Sequence, residues 1–570
     1  MMRYRKKLSN CFCFELLVEW TSNRIRKGLN MRRFFSYGPI DTEEHYYAPR
    51  NELIEQAYGQ LVGDSPQKGG HFITVWSPRQ CGKTWVMQQV LERVEMSKSL
   101  QTGMDVDVVT IVVDYLEGDT DLENVTSSIA KDIIRELGIK EPNFDISKKL
   151  QRLFTRDVLK KPLILILDEF DALSEQAINR LTRIFRNIYI ARQNEIKKTQ
   201  NQRQYLLHGL ALVGVRSVLG IENKRGSPFN VQRSLRIPNL TYDEVKNMFE
   251  WYEKESGQKV EEEVIKRLFY ETQGQPGLTC WFGELLTEGF ESYTVEKTRP
   301  ISIQVFDRVY QAAVSKLPNN NILNIISKAN QDDYKPMVLK LFKTDRLFPF
   351  KFDDREINFL YMHGVIDSEI GIEGEWVVKF SSPFVQKRLF NYFSNEMFKY
   401  MDNVIEPFDN LEDVITAKGL NIKNILRRYQ NYLVKNREWL FKGVPRRKDL
   451  RVFEAVFHFN LYMYLYEFIY SQEGRVYPEF PTGNGKVDLL IEYNNQVYAI
   501  EVKSFRDKTS FEKALGKAAL YGKQLGLKEI CIVFFIESID DGHRKEYEVD
   551  VPDKETGIKV VTVFIETGNT

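Results

Sequence analysis

The stretch Thr74–Val90, TVWSPRQCGKTWVMQQV, decides how the rest of the chain is read. An apolar run ends at Trp76, a polar loop follows, and Gly82, Lys83 and Thr84 open a segment of helical character. Strand, loop, Gly-Lys-Thr and helix, in that order, are the setting of the phosphate-binding pattern G-x-x-x-x-G-K-[ST]. In such a loop successive backbone N–H groups and the helix N-terminus face the phosphates, the lysine reaches the β and γ oxygens, and the hydroxyl holds magnesium. Gln80, Cys81, Gly82, Lys83, Thr84 and Trp85 are therefore the candidate nucleotide contacts, and Thr84 is also a candidate magnesium ligand. One letter departs from the pattern, because Ser77 stands where the first glycine is expected. A glycine there eases backbone geometry and contributes no chemical group, so the serine is expected to be tolerated.

At 570 residues the chain exceeds a single core, and three or four domains of roughly 100–200 residues are expected. Lysine plus arginine (80) balances aspartate plus glutamate (79), so a polyanionic partner has to be sought in a local patch. The five cysteines (Cys11, Cys13, Cys81, Cys280, Cys531) show neither metal-ligand spacing nor a disulfide framework, which points to a reducing, cytosolic setting. No apolar run approaches the roughly 18 residues that span a bilayer, so a soluble chain without a membrane partner is expected. Residues 1–30 read as a mis-assigned start before Met31 or as a poorly ordered basic arm.

From His71 onward, apolar strand-like runs alternate with helical segments, the pattern of a parallel sheet covered by helices. The runs are HFITVWS, DVVTIVVD, PLILILDE, LALVGVRS and SLRIPNL. The third ends in Asp168 and Glu169, the carboxylates expected to hold hydrated magnesium and to polarise the water attacking a γ-phosphate. From Thr241 the texture becomes helical, with Thr241 and Glu244 placed as a capping box. Around Val365, a helix, two short strands and a glycine-rich turn suggest a winged helix. Residues 423–451 carry ten basic side chains (Lys423, Arg427, Arg428, Lys435, Arg437, Lys442, Arg446, Arg447, Lys448, Arg451) against Glu438 and Asp449, a candidate phosphate-contacting patch.

Through SPRQCGKTW, LILILDEFDAL and ETQGQPGLTCW, residues 31–300 resemble the AAA-like ATPases of the signal-transducing and archaeal-ATPase type. The resemblance implies ATP and Mg2+ as cofactors, and a Gly-x-Pro of the lid touching the nucleotide, here Gly274, Gln275 and Pro276. It also places HYYAPR (His45 to Arg50) on the adenine side. A small polar sensor is expected after the fourth strand, where Arg216 and Ser217 stand. Arg225 and Arg233 are candidates for an arginine supplied to a neighbouring copy, which leaves a homo-oligomer open. Cys81 raises the option of redox control, since a thiol beside a helix N-terminus can be acidified; the plain alternative is that the position needs a small residue.

Near the C-terminus, VDLLIEYNNQVYAIEVKSF reads as two strands joined at Asn494 and Asn495, with Glu501 and Lys503 on one face and Asp488 on the partner strand. Two carboxylates with a lysine beside them form a hard-cation site suited to phosphodiester hydrolysis. Asp488 followed by Glu501-x-Lys503 resembles the core pattern of the PD-(D/E)XK nucleases over residues 451–540. The resemblance implies that Asp488 and Glu501 bind magnesium, with Glu454 as an extra acidic ligand, that Lys503 positions water, and that Tyr521 and Gln524 line the site. His458 is expected to be a packed histidine.

The expected fold class is α/β: a P-loop parallel sheet (31–240), a helical lid (241–300), a winged-helix-like region (301–400), a basic helical connector (401–450) and a nuclease-like α/β domain (451–570). The expected function is an ATPase that gates a magnesium-dependent nuclease on nucleic acid, DNA ahead of RNA, with Glu169, Glu501 and Lys503 catalytic. The alternatives are an ATP-operated switch whose C-terminal domain binds DNA or protein without cutting, and an ATPase whose nuclease fold only packs.

Overall fold

The structure is a computed structural model describing residues 31–568 apart from 64–68, 100–104, 196, 199–201, 215–231, 292, 343–347, 372–373, 399–410, 417–418, 448–451, 483–484 and 506. Residues 1–30, the sensor candidates Arg216 and Ser217, Arg225, and Lys448, Asp449 and Arg451 of the basic run lie outside the described residues. The chain divides into two compact units, one reaching to Gln311 and the other running from Ala312.

The first unit is built on five parallel strands, β1 (Phe72–Trp76), β2 (Asp107–Val112), β3 (Leu163–Asp168), β4 (Leu207–Gly214) and β5 (Gln232–Arg236), in the order β2-β3-β4-β1-β5. Each overlaps one of the five apolar runs, though β4 and β5 begin three and two residues before LALVGVRS and SLRIPNL, and residues 215–217 of the fourth run lie outside the described residues. Helices α1 (Asn51–Val62), α2 (Lys83–Ser99), α3 (Leu122–Leu137), α4 (Ile146–Lys149) and α5 (Glu175–Asn194) accompany them. A parallel sheet covered on both faces needs strands apolar on both sides, which is why LILILD is buried throughout. Alternation along β3 sends Leu165 and Leu167 into a core with Ile129, Ile133 and Phe185, and Ile164 and Ile166 into another with Ala57, Val86 and Val90. Because β4 lies between β1 and β3, the phosphate-loop strand and the acidic-pair strand end on the same sheet edge, one strand apart.

Four helices follow: α6 (Tyr242–Ser256), α7 (Glu262–Thr272), α8 (Pro276–Thr287) and α9 (Ile303–Ser315). Thr241 and Glu244 form the expected capping box at the start of α6. Residues ahead of α1 pack on α6: the Phe34 ring lies 4.7 Å from Phe249 and 5.1 Å from Tyr46, whose hydroxyl donates to Glu255 Oε2 at 3.2 Å.

The second unit begins with α10 (Asn320–Ala329), α11 (Lys335–Leu341) and α12 (Arg355–Met362), followed by an antiparallel hairpin of β6 (Ile366–Ile370) and β7 (Trp376–Phe380) and by α13 (Pro383–Phe398). A small clip of β8 (Ile415–Thr416) and β9 (Gly419–Leu420) precedes α14 (Ile422–Leu440) and α15 (Glu454–Tyr470). The six-stranded sheet comprises β10 (Arg475–Thr482), β11 (Gly485–Tyr493), β12 (Gln496–Ser504), β13 (Glu529–Ile536), β14 (Asp550–Pro552) and β15 (Lys559–Glu566), in the order β10-β11-β12-β13-β15-β14. Strands β10 to β12 are antiparallel, whereas β12, β13 and β15 are parallel, with α16 (Lys508–Gln524) as the crossover and α17 (Asp541–Tyr547) after β13. Adjacent residues of β13 serve opposite faces: Phe534 meets Phe511 of α16, while Phe535 meets Phe457 of α15 and Tyr429 of α14.

Helix α14, expected as a connector, packs on this sheet instead. Tyr429 and Leu433 are buried, Gln430 exchanges hydrogen bonds with the Glu566 backbone, and Arg427 pairs with Glu548. Arg428 pairs with Asp413, and Lys423 lies 3.7 Å from Asp550. Three of the ten basic residues are thus directed at carboxylates of the same unit. Among the described residues no helix is long and apolar enough to cross a membrane.

Candidate functional site

The phosphate loop leaves β1 at Trp76 and enters α2 at Lys83. Gln80 and Gly82 adopt positive φ (57° and 85°), which turns the loop tightly enough for α2 to begin directly behind it. Lys83 is buried and its ammonium donates to the Ser77 and Pro78 carbonyls, both at 3.1 Å. Thr84 Oγ1 donates to Asp168 Oδ2 at 2.7 Å, and the Glu169 N–H donates to Asp168 Oδ1 at 2.9 Å. The hydroxyl and carboxylate therefore stand side by side as hard oxygen donors, a set that suits Mg2+ completed by phosphate oxygens. Glu169, at φ 53°, follows on the loop side. Burial raises its carboxyl above the usual range, with Lys83 opposing and Asp171 and Asp168 adding to the rise.

The segment Gly274–Gly277, expected as a lid, meets the loop. Gln275 Nε2 donates to the Arg79 carbonyl at 3.0 Å and to the Gln80 carbonyl at 3.3 Å, and the Gly277 N–H donates to Gln80 O at 3.0 Å. Gly274 has φ 68° and lies so close to the Leu240 carbonyl that a side chain would collide with it at 2.0 Å. Pro276 occupies the first turn of α8, where its missing N–H costs nothing. Arg50 donates to the Pro238 and Asn239 carbonyls at 2.8 and 3.0 Å, holding HYYAPR against the strand-to-lid link.

Two expectations for the loop change. Trp85 directs its indole into the core against Tyr47, with ring centroids 5.6 Å apart, because the third position of α2 faces inward. Cys81 is buried beside Gln275, and burial pushes its thiol up, outweighing the Lys83 charge, so the acidified thiol expected of a helix start is not formed. Arg233 is exposed on β5.

In the second unit, Asp488, Glu501 and Lys503 converge and are all buried. The Lys503 ammonium lies 2.8 Å from Glu501 Oε1 and 3.6 Å from Asp488 Oδ2, and that Asp488 oxygen accepts the Val502 N–H at 2.7 Å. Burial alone would raise both carboxyls. For Asp488 the Lys503 charge, foremost, and the Val502 hydrogen bond work against burial, and it is held below the usual range. Burial together with the neighbouring Asp488 pushes Glu501 up, against Lys503. Tyr521 is buried near these groups, its hydroxyl pushed up by burial and by the Glu501 charge.

The buried group that can gather round one cation among the described residues is His458, Glu479 and Asp488, whose donor atoms lie within 4.8 Å of one another. Glu454 falls outside it: at the first position of α15 it is half-buried, one turn before His458. His458, expected only to pack, instead faces the carboxylates, while its ring also meets Phe390 edge-on at 4.8 Å. Burial holds it below the usual histidine range, favouring the neutral imidazole. Glu479 was not singled out from sequence, since Pro478 and Pro481 obscure β10 as a strand; a carboxylate inside an edge strand is the signal that could have found it.

A family model described as an AAA-like domain matches residues 35–347. No curated protein matches the sequence. Among solved structures, a Walker-type ATPase of Pyrococcus abyssi is similar at 14% identity over 62% of this chain and 99% of that one, with a TM-score of 0.38. The ORC1 protein of Aeropyrum pernix, solved in complex with DNA, is similar at 17% identity over 60% of this chain and 92% of that one, with a TM-score of 0.31. Cdc6p of Pyrobaculum aerophilum is similar at 15% identity over 63% and 97%, with a TM-score of 0.33. The matched residues 35–347 span more than half of the 570 and contain the loop, the acidic pair and the lid, and on that ground the chain belongs to the AAA-like domain family.

Proposed function

We propose that the first unit binds and hydrolyses ATP with Mg2+, and that this turnover gates a metal-dependent nuclease in the second unit acting on DNA. The observation that carries the ATPase reading is the 2.7 Å hydrogen bond joining Thr84 to Asp168, two residues far apart in sequence whose oxygens are brought together as a P-loop magnesium site requires. In this reading Lys83 leaves the Ser77 and Pro78 carbonyls for the phosphates. Glu169, its carboxyl raised by burial, orients the attacking water. Lid residues Gly274 and Pro276 close over the nucleotide.

The nuclease reading rests on a buried Asp488, Glu501 and Lys503 at one end of a hairpin, in a setting where isolated charges are costly unless they have work to do. A bound divalent cation would acidify water and withdraw charge from a phosphodiester. Lys503 would hold that water or the scissile phosphate, and Glu501 and Asp488 would hold the cation. The hairpin of β6 and β7 with α12 fits a winged helix, and DNA is preferred as partner on the nuclease resemblance.

The test is cleavage of plasmid and single-stranded DNA by the full chain with Mg2+, with and without ATP. We expect metal-dependent cutting that Glu501→Ala/Lys503→Ala abolishes and that Lys83→Ala uncouples from ATP. Cutting that survives the Glu501/Lys503 pair removes the nuclease assignment, and cutting indifferent to Lys83→Ala removes the gating.

A further inference from the structure

Three elements each deliver one donor to a group that shares Asp488 with the Glu501–Lys503 pair: His458 from α15, Glu479 from β10 and Asp488 from β11. All three are almost wholly buried, at 4%, 3% and 1% exposure. His458 Nε2 and Asp488 Oδ1 find no hydrogen-bond partner among the described residues, although the other Asp488 oxygen is anchored by the Val502 N–H. A buried imidazole nitrogen and a buried carboxylate oxygen left in this condition are a standing cost that a ligand would remove.

Glu479 adds a second indication. The register pairs Pro478 with Leu489 and Phe480 with Val487, which sets Glu479 directly opposite Asp488. It does so with φ 52°, a left-handed conformation uncommon for a residue with a side chain. Its carboxylate rests against the Lys486 ammonium, and Lys486 is partly exposed, so that side chain is able to swing into water when a cation takes its place.

The donor chemistry narrows the choice of ion. Mg2+ takes oxygen ligands and keeps much of its water, whereas an imidazole nitrogen beside two carboxylates suits a first-row transition metal. Of these, Mn2+ is the one that carboxylate oxygens also favour. We propose that His458, Glu479 and Asp488 form a binding site for a transition-metal dication that prefers Mn2+ to Mg2+. The inference deepens the nuclease reading, on which it rests for the use of the metal but not for its binding.

The site is tested on the full chain without nucleotide by titrating Mn2+ and following the free-ion electron paramagnetic resonance signal, then repeating the titration in a large excess of Mg2+. We expect one tight Mn2+ per chain that the excess Mg2+ fails to displace. His458→Gln and the near-isosteric Glu479→Gln should each weaken it by at least the roughly 10–100-fold that loss of even an outer-sphere partner costs a metal site. Mn2+ should also raise the melting temperature of the wild type and not of the variants. Absence of tight Mn2+, its ready displacement by Mg2+, or its retention by both variants overturns the proposal, and the wild-type competition decides the matter if the variants misfold. The two readings fail separately: Mg2+-dependent cutting that needs Glu501 without Mn2+ retention sinks this site alone, while tight Mn2+ without any cutting sinks the nuclease alone.

Discussion

Ser77 stands where the phosphate-loop pattern has a glycine, yet it is not among the residues with positive φ, so its backbone is one that any residue adopts. What it contributes is a buried carbonyl to the Lys83 ammonium. Ser77→Gly is therefore expected to leave ATP affinity nearly unchanged, as read by titration with a fluorescent nucleotide analogue. Gly82 is the reverse case: its φ of 85° strains any side chain, and Gly82→Ala should cost roughly 1–2 kcal/mol in urea unfolding and weaken nucleotide binding. The thiols offer a check on burial. Cys81, Cys280 and Cys531 are buried and their thiols pushed up, Cys280 to about 12, so peptide mapping after native alkylation near pH 8 should find all three essentially unlabelled until denaturant is added.

His208 gives a pH dependence of definite sign. Burial pushes it down to about 4, although its ring nitrogen lies 2.9 Å from the Val62 carbonyl. Below the unfolded value near 6.5 the unfolded chain takes up a proton that the native state refuses, so stability is lost as pH falls from about 6.5 towards 4. The loss reaches roughly 3 kcal/mol at the lower end. Urea unfolding of the wild type and His208→Gln at neutral pH and near pH 4.5 should show the variant losing less.

At the scale of elements, the lid's grip on the loop is the contact to perturb. Gln275 caps α8 by accepting the Leu278 N–H and also donates to the Arg79 and Gln80 carbonyls. Gln275→Ala should cost about 1 kcal/mol through the lost cap and change ATP turnover without unfolding the sheet, measured by steady-state ATPase rate beside circular dichroism. Which elements were legible follows from their surroundings. The three central strands β1, β3 and β4 stood out because burial on both faces demands unbroken apolar runs, and the capping box because its residue types are specific to that task. Strand β10 was hidden by Pro478 and Pro481, which an edge strand tolerates, and with it Glu479. Helix α14 looked like a connector because its charges were counted without the carboxylates that answer Arg427 and Arg428, which lie far off in sequence or before the run. His458 rather than Glu454 joins the donor group because it lies one turn further along the same helix face, next to the sheet carboxylates, a tertiary property that spacing alone leaves open.

For the whole molecule, the reading of an ATP-gated nuclease makes a thermodynamic demand. If ATP gates the second unit by changing its affinity for DNA or metal, coupling is reciprocal, and that ligand must change ATP affinity by the same factor. Isothermal titration of ATP, with Mg2+ held constant, into the full chain with and without DNA and Mn2+ is expected to show a shift of about 5-fold or more, the low end of ordinary allosteric coupling. Identical affinities would exclude gating through the binding of DNA or metal.

The lid contacts described above reach further than a latch. A peptide unit is planar, with its C=O and N–H pointing in opposite directions. By gripping the Gln80 carbonyl, the Gly277 N–H and Gln275 amide aim the Cys81 N–H away from the lid, and the hold on Arg79 O does the same for the Gln80 N–H. The orientation of two amide dipoles of the loop is thus held in place by a helix start in another part of the chain, so any displacement of α8 rewrites the local electric field before a single charged side chain has moved.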